Sequence, residues 1–160
     1  MREPANPVSY RSHDGQQARD VEPDRRRRIV LCDADEVSTR LLSSILAPRA
    51  FDIVLCRTAM EAEAAVDDHE PELVITAILL PDEDGLALTR RLRASHPALP
   101  ILVVSALHAR NHALQAGANA FLSKPAAVSD LVALALKLTT RRDTASVEST
   151  SARHAKPGAE

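Results

Sequence analysis

The sequence lacks the features that would place the chain in a membrane or in a disulfide-linked fold. No apolar run approaches the roughly 20 residues that a membrane-spanning helix needs, and the first apolar run begins at Ile29. Nothing near Met1 has the pattern of a signal peptide. Cysteine occurs twice, at Cys32 and Cys56, each within a short apolar run where packing is the expected role. We therefore predict a cytoplasmic protein with no disulfide and no membrane contact.

The length of 160 residues suits one domain, so a separate output domain is not expected. Residues 1–27 are rich in Pro, Asp, Arg and Gln, and residues 141–160 are rich in Ser, Thr, Ala and Lys. Such segments bury too little apolar surface to offset the entropy of ordering. We predict a disordered basic arm over 1–27, a folded domain over 28–140 and a disordered tail over 141–160.

Charge is distributed unevenly along a chain whose net charge is −2. Residues 29–140 hold 9 Lys or Arg against 14 Asp or Glu, whereas residues 1–28 hold 7 against 5. The basic run from Arg25 to Arg28 leaves open a nucleic-acid-binding arm, which a salt-dependent binding assay would test. A basic run before a first strand is more often a solvated flank, so nucleic acid is not the expected partner.

Five short apolar runs alternate with stretches of helical periodicity. The runs are rich in Val, Ile and Leu, as in strands that are covered on both faces, and they lie at 29–33, 51–56, 72–77, 100–105 and 120–123. This alternation predicts an α/β fold: a flavodoxin-like, doubly wound five-stranded parallel sheet in the order 2-1-3-4-5, with helices on both faces. Functional residues are then expected at the carboxyl ends of the strands, beside the switch point between strands 1 and 3.

Distinctive residues stand at the ends of the predicted strands, in the turns between them and within the fifth strand. In chain order they are Asp33, Ala34, Ala77, Leu80-Pro81, Asp84-Gly85, Ser105, Gly117-Ala118, Phe121 and Lys124-Pro125. With these residues in this order, the chain resembles a response-regulator receiver domain over about residues 28–140. The resemblance implies a signalling module of a two-component pathway, with a protein partner such as a histidine kinase.

Four positions match the functional pattern of that family. In the family, an aspartate that ends strand 3 accepts a phosphoryl group, and an acidic pair after strand 1 holds Mg²⁺. A hydroxyl and a lysine bind the phosphoryl oxygens, and an aromatic residue on strand 5 responds to the change. By resemblance, Asp33 is the first acidic residue, Ser105 the hydroxyl, Lys124 the lysine and Phe121 the switch aromatic.

Two positions depart from the pattern, because Ala34 stands at the second acidic position and Ala77 at the phosphoacceptor. A methyl group is neither a nucleophile nor a metal ligand. The resemblance therefore implies a degenerate receiver with no catalytic residue and no cofactor beyond weakly bound Mg²⁺, for which Asp33 is the remaining ligand. We expect Lys124 to pair with Asp33, and Asp35 to serve the N-terminus of the first helix.

The fourth helix, the fifth strand and the fifth helix are the expected contact face. In the fifth helix, Leu134 is expected on a different face from the buried stripe of Leu131, Ala135 and Leu138. Ala127, Val128 and Val132 widen the apolar arc beyond what covers the sheet. Surplus apolar surface is usually an interface. We predict phosphorylation-independent contact with a protein partner there, with a homodimer through the same face as one option.

Other patterns receive plainer interpretations. His108 and His112 are spaced to share one face of a short fourth helix, but two ligands do not make a metal site, so solvated histidines are expected. Arg90, Arg91 and Arg93 are predicted to form the solvent-facing side of a helix.

Two further functional readings remain open. In the first, the chain is an altered, locked form of a working phosphoreceiver, with aspartate replaced by alanine at positions 34 and 77. In the second, a flavodoxin-like domain binds a small ligand in the vacated pocket. The lack of a Gly-rich phosphate loop after the first strand argues against the second reading.

Overall fold

The computed structural model describes the backbone of residues 26–151 and the side chains of residues 26–140. Strands and helices alternate along this part of the chain. The strands are β1 (Arg27–Cys32), β2 (Phe51–Cys56), β3 (Leu73–Thr76), β4 (Ile101–Ser105) and β5 (Ala120–Ser123). The helices are α1 (Glu36–Leu46), α2 (Ala59–His69), α3 (Gly85–Ser95), α4 (Arg110–Ala116) and α5 (Val128–Ser151).

The strands form one parallel sheet in the order β2-β1-β3-β4-β5, which confirms the predicted flavodoxin-like topology. The interior strand β1 shows why the apolar runs of the strands are continuous. Ile29 and Leu31 pack on the face covered by α1 and α5, whereas Val30 and Cys32 pack on the face covered by α2 and α3. Because successive side chains alternate between two buried faces, residues 29–32 of the strand are all apolar.

The helices divide between the two faces of the sheet. The face shared by α1 and α5 buries Leu42, Ile45, Leu46, Leu131, Ala135 and Leu138. The opposite face is covered by α2 and α3, and a third cluster packs α3 and α4 against β4 and β5. Full burial of one large aliphatic side chain contributes about 1.5–3 kcal/mol, so these stripes fix each helix on its face.

Side chains cap the first three helices and fix the loops above the strand ends. Asp35 accepts a hydrogen bond from the Val37 N–H at 2.9 Å, which confirms its predicted role at the start of α1. Thr58 caps α2 through the Glu61 N–H, and Asp84 caps α3 through the Leu86 N–H. Each cap satisfies a backbone donor that has no partner within its own helix.

Both ends of the domain differ from the sequence prediction. Part of the basic run belongs to the fold: Arg27 Nη1 donates to Thr139 Oγ1 at 3.1 Å, and Arg28 Nε donates to Asp52 at 3.0 Å. The α5 backbone stays helical to Ser151 although a disordered tail is predicted from residue 141. A helix already nucleated by packing can extend through residues of adequate propensity. The rest of the predicted arm and tail lies outside the described residues.

Within residues 26–151, no helix has both the length and the apolar character that crossing a membrane requires.

Candidate functional site

The predicted site residues meet at the carboxyl edge of the sheet. Asp33 follows β1 and Ala77 follows β3, and the Ala77 N–H donates to the Cys32 carbonyl at 2.9 Å. Ser105 ends β4, and its carbonyl accepts from the Lys124 N–H at 2.9 Å. Adjacent parallel strands thus bring together four residues that are far apart in the sequence.

An ion pair between Lys124 and Asp33 spans this site. Lys124 Nζ lies 2.5 Å from Asp33 Oδ2, and the two side chains are 23% and 6% exposed. The other carboxylate oxygen of Asp33, Oδ1, accepts from the Asp35 N–H at 3.0 Å. The predicted pair is present, and both oxygens of Asp33 already have a protein partner.

The carboxylates near this pair are a poor donor set for Mg²⁺. Asp35 caps α1, while Glu36 forms an exposed ion pair with Arg57 at 2.8 Å. Among the described side chains, no group of three or more His, Cys, Asp or Glu is arranged to hold a metal ion. Mg²⁺ prefers an octahedral shell of hard oxygens that usually includes one or two free carboxylates. Asp33 alone, engaged on both oxygens, does not fit that requirement.

Ala77 is held closely by the start of α3. The Gly85 N–H donates to the Ile78 carbonyl at 2.8 Å, and a Cβ atom on Gly85 would lie 1.9 Å from the Ala77 carbonyl oxygen. Glycine is therefore needed at position 85 because the two backbone segments touch there. The Ala77 side chain is fixed as an apolar, buried methyl beside Asp33.

Ser105 and Phe121 both lie inside the domain. The Ser105 hydroxyl oxygen accepts from the Leu107 N–H at 3.2 Å. Phe121 is 5% exposed and packs in the cluster that contains Val103 and Ala113. The predicted switch aromatic thus points inward, filling space between the sheet and α4.

The two thiols are packing residues. Cys32 and Cys56 are register partners on β1 and β2, and Cys32 Sγ donates to the Thr58 carbonyl at 3.3 Å. Burial, followed by the neighbouring Cys56 thiol, raises the pKa of Cys32 to about 12. Burial, followed by Glu61, raises the pKa of Cys56 to about 11. Neither thiol is suited to nucleophilic or redox chemistry near neutral pH.

The role of Asp82 was not predicted from the sequence. Its carboxylate accepts from the Ala59 N–H at 2.9 Å and the Met60 N–H at 3.0 Å, so it tethers the loop after β3 to the N-terminus of α2. These backbone hydrogen bonds, that of Ala59 foremost, hold the pKa of Asp82 below its usual value. The only sequence signal for this role was the acidic run 82–84 before α3. That signal is weak, because the partners of Asp82 lie in α2, a different helix.

The neighbouring Glu83 extends the same tether through Arg91. Arg91 donates to Glu83 and also to Glu63 on α2, and the hydrogen bond from Arg91 lowers the pKa of Glu83. Arg93 is also engaged: its guanidinium donates to the Gly117 carbonyl at 3.0 and 2.8 Å, and its burial lowers its pKa. The predicted solvent-facing side of the helix is confirmed for Arg90 and Arg91, which are exposed, whereas Arg93 is half-buried. The partners of Arg91 and Arg93 were not predicted, because helical periodicity does not reveal contacts with other elements.

The candidate interface residues on α5 are not equivalent. Val128 is 48% exposed, whereas Val132 and Leu134 are partly buried and pack against the sheet core. Leu134 lies three positions after the buried Leu131, on the flank of the same stripe. The expectation that Leu134 belongs to a separate free face is therefore wrong. Leu136, which is 41% exposed, is a better surface probe.

The two histidines also differ from expectation. α4 begins at Arg110, so His108 precedes the helix and does not share a helical face with His112. Both nevertheless line a groove of about 560 Å³ between α4 and β5. The other lining residues are Arg110, Asn111, Phe121, Leu122 and Ser123.

Comparison with known proteins agrees with this architecture. The response regulator MprA of Mycobacterium sp. (strain KMS) is 32% identical over 109 residues, which cover 66% of this chain and 47% of MprA. The transcriptional regulatory protein PhoP of Escherichia coli is 38% identical over 78 residues, covering 47% of this chain and 35% of PhoP. The chain therefore spans less than half the length of these relatives.

Solved structures give the same result. The receiver domain of NtrX from Brucella abortus is 30% identical, with a TM-score of 0.65 over 70% of this chain and 98% of that domain. A CheY-like receiver domain protein from Methanospirillum hungatei shares the fold at 23% identity, with a TM-score of 0.70 over 74% of this chain and 97% of that one. Residues 29–136 match the response regulator receiver domain as a family. The chain belongs to the response regulator receiver domain family.

Proposed function

We propose that this chain is a degenerate receiver, a signalling module that acts through protein contacts and does not accept a phosphoryl group. The observation that carries the proposal is Ala77, which directly follows β3 beside Asp33. By resemblance, this is the place of the phosphoaccepting aspartate. An acyl phosphate forms when a carboxylate oxygen attacks phosphorus, and a methyl group has no such oxygen.

The contacts of Asp33 support the same proposal. Its two oxygens accept from Lys124 Nζ and from the Asp35 N–H, so that a metal ion would have to displace at least one of them. With Ala34 at the second acidic position, no other carboxylate compensates within the described pocket. Mg²⁺ binding, if measurable, is weak in this proposal.

The working surface in this proposal includes α4, β5 and α5. Val128 and Leu136 are exposed large apolar residues on α5, and such residues are typical of contact surfaces when they cluster. The partner is a protein, with a histidine kinase or another two-component protein as the class that family membership favours. A homodimer through this surface is the alternative partner. The stand-alone organisation and the cytoplasmic location stay predictions from the sequence.

The proposal is tested with a small-molecule phosphodonor and Mg²⁺. The full chain should acquire no acyl phosphate, and partner capture from host extract should be equal with and without the phosphodonor. The double variant Val128→Asp/Leu136→Asp should lose the captured partner. Ser105→Ala should retain it, because Ser105 is buried at the carboxyl edge of the sheet and offers almost no exposed surface to a partner. An acyl phosphate on this chain, or capture that depends on the phosphodonor, would contradict the proposal.

A further inference from the structure

One continuous stretch of the folded domain carries no acidic residue. Residues 85–129, from α3 to the start of α5, contain no Asp or Glu, whereas they contain five Lys or Arg and three His. The domain as a whole is acidic, with 14 Asp or Glu in residues 29–140. The segment from α3 to β5 is therefore basic within an otherwise acidic domain.

Most cations of this region already have partners in the protein. Arg91 pairs with Glu63 and Glu83, Arg93 donates to backbone carbonyls, and Lys124 pairs with Asp33. Within the described part of the chain, the Arg90 and Arg110 side chains make no hydrogen bond or ion pair. Of these two arginines, Arg110 lines the groove between α4 and β5.

The groove also exposes an open strand edge. β5 is the last strand of the sheet, paired with β4 on one side and with no strand of residues 26–151 on the other. Three consecutive β5 residues, Phe121, Leu122 and Ser123, line the groove. Since strand side chains alternate between faces, consecutive lining residues mean that the groove follows the strand edge itself. Such an edge offers backbone donors and acceptors to an extended chain.

We propose that this groove binds an extended acidic segment of a partner protein, which lies along the β5 edge and directs a carboxylate to Arg110. The inference rests on the proposed function and specifies the chemistry of its partner. Guanidinium groups pair with carboxylates in a planar two-bond geometry, and the nearby His108 and His112 imidazoles supply further N–H donors. No acidic side chain lines the groove to repel such a segment.

A protein segment fits this groove better than a nucleic acid. A nucleic acid carries a charge at every nucleotide and needs several cations along its backbone. The groove contains one arginine, and the surrounding domain is acidic. A peptide with spaced carboxylates and apolar residues can instead meet Arg110 while packing beside the Leu122 side of the strand.

The test uses the full chain labelled with ¹⁵N and a dye-labelled octapeptide of alternating Glu and Val. Peptide addition should shift the backbone amides of residues 108–112 and 121–123, and the same peptide with Gln in place of Glu should not. Arg110→Gln should weaken the Glu peptide about fivefold by fluorescence anisotropy, as expected for loss of an exposed charge-assisted hydrogen bond. Arg90→Gln is the matched control, because it removes an equally unpaired arginine outside the groove, and it should leave the affinity unchanged.

Three results would overturn the inference. They are no amide shift at about 1 mM peptide, shifts that map away from the groove, or equal weakening by both arginine variants. Preferential binding of a labelled 12-nucleotide single-stranded DNA in the same groove would assign it to nucleic acid instead. The phosphodonor and capture experiments described above do not involve this peptide, so their outcome separates failure of the inference from failure of the proposed function.

Discussion

Lys124 Nζ lies 2.5 Å from Asp33 Oδ2, across the site where β1 and β5 end, and the two residues are 91 positions apart in the sequence. The Asp33 side chain is nearly buried, and its two carboxylate oxygens accept from this partner and from the Asp35 N–H. In the proposed function, the pair fixes the pocket in one arrangement, since no phosphoryl group arrives to compete for Lys124.

The first prediction concerns the strength of this pair. Lys124→Met should lower the free energy of unfolding by about 2 kcal/mol, because it leaves a buried carboxylate without its cation. The double variant Asp33→Asn/Lys124→Met should cost less than the sum of the single variants in urea unfolding. Arg40→Met is the control: its ion pair with Glu36 is exposed, and it should cost under about 0.5 kcal/mol. Additive costs at positions 33 and 124 would contradict the coupling.

A second prediction concerns repair of the phosphoryl chemistry. Ala77→Asp alone should restore little labelling by a phosphodonor, whereas Ala77→Asp/Ala34→Asp should restore at least tenfold more, since a second carboxylate is needed to hold Mg²⁺. Adding Lys124→Met to the double variant should remove the gain. Equal labelling of the single and double variants would mean that Asp35 or Glu36 leaves its present partner and binds the metal. Strong labelling of the double variant would favour the alternative that this chain is an altered, locked form of a working phosphoreceiver.

The loss of folding stability at low pH should depend on Asp82. Its pKa is lowered in the folded protein, so its contribution to stability is complete above the ordinary value of 3.8 and is lost as the pH falls below that value. Asp82→Ala should lower the urea midpoint at pH 7 and flatten its decline between about pH 4.5 and pH 2. Asp68→Ala is the control. It removes an exposed carboxylate from α2, the helix whose N-terminal N–H groups donate to Asp82, and it should not flatten that decline. An unchanged pH profile in Asp82→Ala would contradict the role of its hydrogen bonds to α2.

Two neighbouring leucines on α5 should respond differently to charge. Leu134→Asp should destabilise the domain by about 2 kcal/mol or more, because Leu134 packs against the sheet core. Leu136→Asp should stay within about 0.5 kcal/mol of the parent, as is usual for a surface substitution. Thermal unfolding of the two variants provides the comparison. Equal stability would show that Leu134 is free of the core after all.

The thiols provide a simple check of burial. At pH 8, a thiol-specific reagent should modify Cys32 and Cys56 at least 100-fold more slowly in the native protein than in 6 M urea, since the pKa values of both are raised, to about 12 and about 11. Cys56→Ser should leave Cys32 slow to react, because burial, the larger cause of its raised pKa, is unchanged. Rapid modification of the native protein would mean that β1 and β2 open readily.

The order of the elements and the identity of the groups that could react follow from the amino-acid sequence alone. Continuous apolar strands such as 101–104 and helical stripes such as Leu131, Ala135 and Leu138 depend on local periodicity, which is encoded along the chain. The same holds for Asp35 as the cap of α1, because its partner is two residues away. Alanine at position 77 excludes an acyl phosphate there in any fold, since the chemistry belongs to the side chain itself.

The pairing of groups that are distant in the sequence depends on how the elements pack. Asp82 reaches the start of α2 more than 20 residues earlier, Arg93 reaches Gly117, and Leu134 settles onto the sheet. Periodicity states which face of a helix is apolar, but not which neighbour lies against its flanks. Those contacts depend on how the crossovers place α2, α3, α4 and α5 around the sheet, and hydrogen bonds form only where that packing brings a donor within about 3 Å of an acceptor.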